Sequence, residues 1–577
     1  MLRFDPESPE HILELRAHIN QSLQEQRPFV DFHHWAVEQD AGSLYGGNEE
    51  EPETLFPEVS LLIDTLRAEL ATNPPQGAVR TYDRIYQKAG VKLEMALNNE
   101  LRSDRDSFEA MRSAINSSLY TLGILHVGVA NIGMAEVYGE TIHETAPYFE
   151  HIPLEDFFHD MSSSRIEKGE YQGHFYYVNL ERAKDNPNFI KEARERLKPD
   201  GEERDTADYA KLHDIGGIVG PRDKALHDMV TLMNVWIPEE KLLLVLPNHP
   251  TKPGDVLQIV EWDGPAHGTY CYLGYKWIDG NTMPKSLFME LSPIHIAVNN
   301  VGRKVKDSIE AFKRIGLVTG AADSQDAKSI MHTKHGDVTG VENPGAIVEQ
   351  TYGGVDAGSL TVLKILQETF SYYGGNLDVL GGLRAQAETL GQEQILQQQS
   401  SGKVNAMRNE LNRFVQQAIS DYAFWMWKSQ KSFNVTYSIG DFEIPAEFSK
   451  DERSHDFFSH TIEVVPYSMA MRTPQQKFTE LMTVLDRMMP YWPMFQQQGG
   501  TINAKELIRL AAKELDKPEL VELIQFGQQP ENYETAQSPP RMQSPPTTNR
   551  IQTRISGRAN DSPSAQMAMQ MMRGGQE

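Results

Sequence analysis

The amino-acid sequence predicts an α+β fold, in which helices and strands occupy separate stretches of the chain. Apolar residues recur every three or four positions over several long stretches, which is typical of helices packed along one side. Short apolar runs separated by turn residues lie before residue 291 and indicate strands. A glycine-rich segment lies between two of the helical stretches, and regular structure is expected to break there.

Residues 1–291 are predicted to hold N-terminal helices followed by an α/β unit. Helical patterns cover residues 9–26, 61–69 and 82–122. Residues 152–157 are predicted to be strand-like, and further strands are predicted at 174–179, 229–237, 241–246, 256–262 and 269–277. Turn residues such as Pro238 and Asn248 separate these strands.

A long helix is predicted at residues 292–316. Ser292 is its expected N-cap, and Pro293 is its expected first residue, where the missing N–H costs nothing. Arg303, Lys306 and Lys313 lie off its apolar stripe, so one side of this helix is predicted to be cationic. The stripe consists of Ile294, Val298, Val301, Val305, Ile309 and Phe312.

The polar segment 317–354 contains a short predicted strand at 345–348 and is too small to form a core of its own. A returning helix is predicted at 355–373, with Leu363, Leu366 and Phe370 on one face. It is expected to end at Gly374-Gly375, where the backbone can adopt positive φ. A glycine-rich loop at 374–391 then carries the basic residue Arg384.

Residues 392–430 are predicted to form a long helix that kinks at Ser400-Ser401-Gly402. Strands at 431–470 and two helices at 471–527 follow. From residue 528 the chain is rich in Pro, Gln, Ser and Met, and disorder is expected because little apolar surface can offset the entropy of ordering. The stripe of the long helix consists of Val404, Met407, Leu411, Phe414, Ala418, Tyr422 and Trp425.

The formal net charge of −26 argues against a protein that reads nucleic acid with clustered basic residues. It suits a conduit, since a mostly acidic wall keeps a moving duplex from adhering.

The single cysteine, Cys271, excludes an intrachain disulfide and any multi-cysteine zinc site. Neither a bilayer-spanning apolar run nor a secretory leader is recognised, so synthesis and assembly in the cytoplasm are expected.

The sequence carries few motifs of catalytic chemistry. No phosphate-binding loop and no nucleophile elbow occur in the sequence. His332 and His335 have a spacing that metal ligands can have, but their polar surroundings favour a surface loop. Asp156 and Asp160 are candidates for paired catalytic carboxylates, although their relative geometry cannot be predicted. We therefore predict no enzymatic activity, no cofactor and no metal site.

The order of these elements resembles that of the portal proteins of tailed bacteriophages, the head-to-tail connectors of the capsid vertex. The resemblance covers residues 10–520 and includes the helix at 61–69 followed by Thr72-Asn73-Pro74-Pro75 and the run 388–394 after the glycine-rich loop. It implies an α/β wing at 1–291 and 431–470, and a two-helix stem at 292–316 and 355–373. It also implies a clip at 317–354, a tunnel loop at 374–391, a long kinked wing helix at 392–430 and a helical crown at 471–527.

The resemblance further implies a dodecameric ring in the virion, at the unique capsid vertex, which forms the channel for genome packaging and ejection. Its expected partners are other copies of the chain, double-stranded DNA passing without sequence specificity, the large terminase subunit, the head-to-tail adaptor and the major capsid or scaffolding protein. No membrane is expected to take part.

The resemblance also assigns candidate residues. Arg384 has an alternative role, a salt bridge to a neighbouring wing. The candidates for contacts with DNA in the channel are Arg303, Lys306, Lys313 and Arg384. The candidates for docking at the clip are Lys328, His332, His335 and Glu342.

Two alternatives stay open at this level. The chain could be a different virion ring or interaction protein. A soluble hydrolase with its site in the strand region 175–277 is less favoured, because no motif for hydrolysis is found there.

Overall fold

The computed structural model describes residues 4–41, 55–70, 73–137, 140–200, 228–318, 347–352, 354, 356–375, 390–439 and 442–465, with Met469, Met482, Asp486 and Arg487. Only the backbone is described at 131–137, 140–144, 313–318, 347–352, 390–401, 437–439 and 442–444. The fold mixes helices and sheets, as predicted. The chain divides into two compact units, Met1–Arg472 and Thr473–Glu577, and every element named below belongs to the first.

The helices of the described residues account for most of the predicted helical stretches. The pair predicted at 82–122 is divided by Asp104, whose side chain accepts a hydrogen bond from the Ser107 N–H and caps the second helix. The helices are α1 (Pro9–Ala41), α2 (Glu58–Leu70), α3 (Gln87–Ser103), α4 (Arg105–Tyr120), α5 (Leu180–Asp185), α6 (Lys191–Arg194), α7 (Leu287–Glu310), α8 (Ala357–Tyr373) and α9 (Leu390–Lys428).

The strands form a five-stranded antiparallel sheet in the order β4-β5-β6-β7-β8, a three-stranded sheet in the order β3-β2-β9, and three two-stranded ribbons, β1-β14, β10-β11 and β12-β13. The strands are β1 (Gly77–Thr81), β2 (Gly123–Val137), β3 (Glu140–His151), β4 (Phe157–His159), β5 (Gln172–Asn179), β6 (Met229–Ile237), β7 (Leu242–Pro247), β8 (Gln258–Glu261), β9 (Tyr270–Leu273), β10 (Lys313–Val318), β11 (Ile347–Tyr352), β12 (Phe433–Ile439), β13 (Phe442–Phe448) and β14 (His460–Val464).

The five strands predicted between residues 174 and 277 are confirmed, and β6 has the predicted bounds. The strand predicted at 152–157 is wrong, because the chain turns there after Pro153. The Asp156 N–H donates to the Pro153 carbonyl over 3.1 Å, so regular pairing resumes only at Phe157. The long hairpin of β2 and β3 was not predicted.

The predicted start of the helix at Ser292 is wrong, because α7 begins one and a half turns earlier. Ser286 is its N-cap, and its hydroxyl accepts the Met289 N–H over 3.1 Å. Pro293 therefore lies inside the helix and cannot donate to the Met289 carbonyl. The Ser292 hydroxyl donates to that carbonyl instead, over 3.1 Å, so the proline leaves no unpaired acceptor at this point.

The predicted end of this helix is also wrong. α7 ends at Glu310, and the Phe312 N–H closes a tight final turn on the Ile309 carbonyl over 3.1 Å. Residues 313–318, predicted to be helical or polar loop, form β10 and pair with β11. Lys313, predicted on the helix, is thus the first residue of a strand.

The main core is built around the C-terminal half of α9. Six of the seven residues predicted for its stripe, from Val404 to Tyr422, are buried, while Trp425 is partly exposed and packs on Trp262. The hydrogen-bonded helix continues through Ser401-Gly402, where a kink was predicted. The aromatic residues near its end are core residues, since Phe424 and Trp427 are also buried.

His159, on β4, makes stability depend on pH. Its side chain is fully buried, neither ring nitrogen has a hydrogen-bond partner among the described residues, and burial lowers its pKa to about 4. The unfolded chain binds the proton near pH 6.5, whereas the folded chain binds it only near pH 4. The contribution of His159 to the unfolding free energy is therefore complete above pH 6.5 and is lost as the pH falls from 6.5 towards 4.

Replacing His159 with Phe should flatten the dependence of the unfolding free energy on pH. The wild type should lose about 2 kcal/mol more than H159F between pH 7 and pH 5. H159F should be at least as stable as the wild type at pH 7, because two unpaired nitrogens are removed. Urea unfolding at both pH values measures this, and equal losses in the two proteins would contradict it.

Candidate functional site

The helices α7 and α8 form an antiparallel pair that leaves the core at one end and carries the β10-β11 ribbon at the other. At the core end, the rings of His295 and Phe370 are neighbours, with centroids 6.4 Å apart and planes tilted by 52°. At the ribbon end, the Gly354 N–H donates to the Ser308 carbonyl over 3.2 Å. The pair therefore runs from a buried base to a projecting tip.

The base of the pair is held by polar contacts. The Asn299 side-chain oxygen accepts hydrogen bonds from the Leu55 and Phe56 N–H groups over 2.8 and 2.9 Å. The ring of Phe56 lies against Gly302, where an added Cβ would come within 2.4 Å of a ring carbon. His295 is buried, which lowers its pKa to about 4, and its Nε2 lies 3.0 Å from the Gln39 amide oxygen.

The helix predicted at 355–373 is confirmed. Asp356 caps α8 by accepting the Ser359 N–H over 3.1 Å, and the helix ends at Gly374-Gly375, where Gly375 has φ of +98°. Of its predicted inner face, Phe370 is fully buried, while Leu363 and Leu366 are partly buried against α7.

The helix pair exposes many apolar side chains along its length, from the base to the tip. Each of these is between 44% and 67% exposed in the single chain, although aliphatic and aromatic residues of this size are usually buried. They are Ile296, Ile309, Phe312, Leu360, Val362, Ile365, Tyr372 and Tyr373.

Helical geometry divides the exposed residues of α8 between two flanks. At 100° per residue, Val362 and Ile365 lie on one side of the face that contacts α7, and Leu360 lies on the other side. We call these the major flank and the minor flank. Tyr372 lies almost opposite the face that contacts α7. Exposed apolar side chains therefore lie on both flanks, with a single one, Leu360, on the minor flank among the described residues.

The predicted DNA contacts are only partly described. Arg303 and Lys306 are exposed on α7, and Lys306 lies 3.7 Å from Glu310 in an i,i+4 pair. Such an exposed pair is weak, so the lysine remains available to another anion. Lys313 lies in β10, where only the backbone is described, and Arg384 lies outside the described residues.

Several other predicted sites also lie outside the described residues. These are most of the clip and tunnel loop, most of the crown and the whole C-terminal tail. The strand predicted at 345–348 corresponds in part to β11. The predicted docking residues Lys328, His332, His335 and Glu342 lie in the undescribed segment 319–346.

The carboxylates considered for catalysis have structural partners. Asp160 accepts hydrogen bonds from the backbone N–H groups of Ser162 and Glu170, over 2.9 and 3.2 Å, and so organises a turn. Asp156 accepts a hydrogen bond from the Tyr177 hydroxyl over 3.0 Å. Each carboxylate therefore has a hydrogen-bonding role in the fold.

A cluster of His267, Cys271 and Asp421 joins β9 to α9 and contains the residue types of a cysteine triad. The Asp421 carboxylate lies 2.7 Å from His267 Nε2 and 3.5 Å from Cys271 Sγ. A nucleophile needs the histidine between the thiol and the carboxylate, whereas here the carboxylate lies between them. Burial also raises the pKa of Cys271 well above its usual value, so the thiol is not activated.

The chain matches no protein-family model, and no curated protein is significantly similar to it. In the parts of the chain that the structure describes, no helix is long and apolar enough to cross a membrane.

Proposed function

We propose that this chain is a portal-type subunit, several copies of which form a ring around a channel for double-stranded DNA. One observation carries the proposal: a projecting helix pair with exposed apolar side chains on both flanks. A second copy of the chain is the occupant that fits these flanks. The major flank of one pair would pack against the minor flank of the next, which is a head-to-tail contact that closes into a ring.

The charge of the chain supports the channel role. With a net charge of −26, the subunit would repel DNA over most of its surface. Arg303 and Lys306 on α7 would provide a local cationic level at which phosphates make weak, sequence-independent contacts. The function proposed for the ring is to pass a genome into and out of a capsid and to dock the packaging motor and the tail adaptor. No bond would be made or broken in it.

Native mass spectrometry of the purified full-length chain tests the oligomer, with negative-stain images as the second measurement. We expect a single high-mass species and perforated rings. A monomer at every concentration, or turnover of an ester or phosphoester substrate by the purified protein, would contradict the proposal. A closed ring without a central opening would favour the other interpretation, a different virion ring.

A further inference from the structure

Two buried histidines and a carboxylate meet between the two largest sheets, away from the helix pair. His126 and His174 are 6% and 3% exposed, and their ring centroids lie 5.0 Å apart. Glu150 Oε2 lies 3.5 Å from His126 Nδ1, and one ligand atom from each of the three side chains lies within 4.8 Å of the others. The Glu150 side chain is 47% exposed, so the cluster is open to solvent at Glu150.

Strand pairing fixes the positions of these residues. His126 on β2 is directly opposite Glu150 on β3 and opposite Tyr270 on β9, so their side chains share one face of the three-stranded sheet. His174 comes from β5 of the other sheet, and its Nδ1 lies 2.7 Å from the Tyr270 hydroxyl. The cluster thus bridges two sheets on rigid elements, which is the kind of scaffold that holds ligands precisely.

One atom of the cluster lacks a partner. His126 Nδ1 is buried and makes no hydrogen bond within the described part of the chain, since the 3.5 Å approach of Glu150 does not have hydrogen-bond geometry. Buried unpaired nitrogens are rare and often indicate an ion or a water molecule.

We propose that His126, Glu150 and His174 bind one Zn²⁺ ion that joins the two sheets. Two imidazole nitrogens and one carboxylate oxygen are a ligand set that zinc uses, whereas calcium and magnesium require oxygen ligands throughout. The solvent side leaves a fourth position for water. Tyr270 is a positioning residue, because its hydroxyl occupies His174 Nδ1 and leaves Nε2 for the metal.

The second cluster with metal-ligand atoms, His267, Cys271 and Asp421, lacks the feature that indicates an ion. Its carboxylate pairs with both the imidazole and the thiol, and none of its buried side-chain polar atoms is without a hydrogen bond within the described part of the chain. It serves as the internal comparison for the experiment below.

The test is metal binding to the full-length chain, stripped with a chelator and titrated with Zn²⁺ alone in a calorimeter. We expect about one tight equivalent per chain, and a rise in the thermal unfolding midpoint when Zn²⁺ is added. Glu150→Gln keeps the size of a half-exposed side chain and should weaken binding by more than about 10-fold. His174→Gln should do the same, and both variants should lose the thermal shift.

The matched control is Glu463→Gln, which changes another strand glutamate with a side chain 38% exposed. It should bind Zn²⁺ as the wild type does. Tight binding that survives in both Glu150→Gln and His174→Gln would overturn the proposal, as would no binding by the wild type. Loss of binding in Cys271→Ser alone, with a thiolate charge-transfer band when Co²⁺ replaces Zn²⁺, would also overturn it by placing the ion in the other cluster.

Discussion

Replacing Val362 and Ile365 together with aspartate is expected to convert the assembled protein into single chains. Both residues lie on the major flank of α8 and are about half exposed in the single chain, so the fold itself should tolerate the change. In an assembled ring the two carboxylates would be buried without partners against the minor flank of the next copy. Each subunit contact should lose about 2 to 4 kcal/mol, or roughly 30- to 700-fold in affinity.

Analytical ultracentrifugation over a range of concentrations measures this change, with circular dichroism as the check on folding. The matched control is Glu368→Lys, which changes the charge by two units, as the double variant does, but lies on the outer face of α8 between the two flanks, where Glu368 is 64% exposed. It should leave assembly intact. If V362D/I365D assembles as the wild type does, the flanks of this pair are not the subunit contact.

Replacing Phe370 with Ala is expected to give the largest loss of stability. Phe370 is fully buried and is the residue of α8 that enters the main core, beside the ring of His295. Truncation removes its buried area and leaves a cavity at the base of the helix pair, which should cost about 3 to 5 kcal/mol. The base of α8 should therefore detach well before the sheets unfold.

The loss should be measured by urea unfolding in the V362D/I365D background, so that assembly does not alter the apparent stability. Tyr373→Ala is the control, since this aromatic residue on the same helix is 56% exposed and its loss should change the unfolding free energy by less than about 0.5 kcal/mol. Equal losses in the two variants would mean that Phe370 does not anchor the helix. Hydrogen exchange of α8 amides would show whether the loss is local.

Much of the secondary structure could be predicted from the sequence because its signals are local. β6 is followed by Pro238 and seven of its nine residues are apolar, and α8 is bounded by Asp356 and Gly374-Gly375. Errors arose where tertiary contacts override such signals. Ser292-Pro293 is a good start for a helix, but the Ser292 hydroxyl pairs the carbonyl that the proline leaves, so the helix can begin earlier.

The candidate sites depended even more on long-range pairing. Arg303 and Lys306 could be placed on one helix from spacing alone, and that placement is confirmed. His126, Glu150 and His174 have no motif spacing, because only the register of β2 with β3 and the packing of a second sheet bring them together. The one usable signal would have been a hairpin prediction for β2 and β3, which places a histidine opposite a glutamate.

The exposed flanks could not be predicted for a different reason. A stripe from Ile294 to Phe312 predicts one buried face, but it does not tell which part of that face the chain covers by itself. In the structure Val298 is fully buried and Ile309 is more than half exposed. That change in exposure along one stripe separates the part of α7 that belongs to the core from the part whose apolar side chains are exposed in the single chain.

An electron cryo-microscopy map of the purified full-length protein tests the central claim most directly. The account predicts a closed ring of identical chains in which the α7–α8 pairs line the central opening and the major flank of each α8 contacts the neighbouring subunit. Particles that are single chains, or a ring whose α7–α8 pairs point away from the opening with both flanks in solvent, would contradict it.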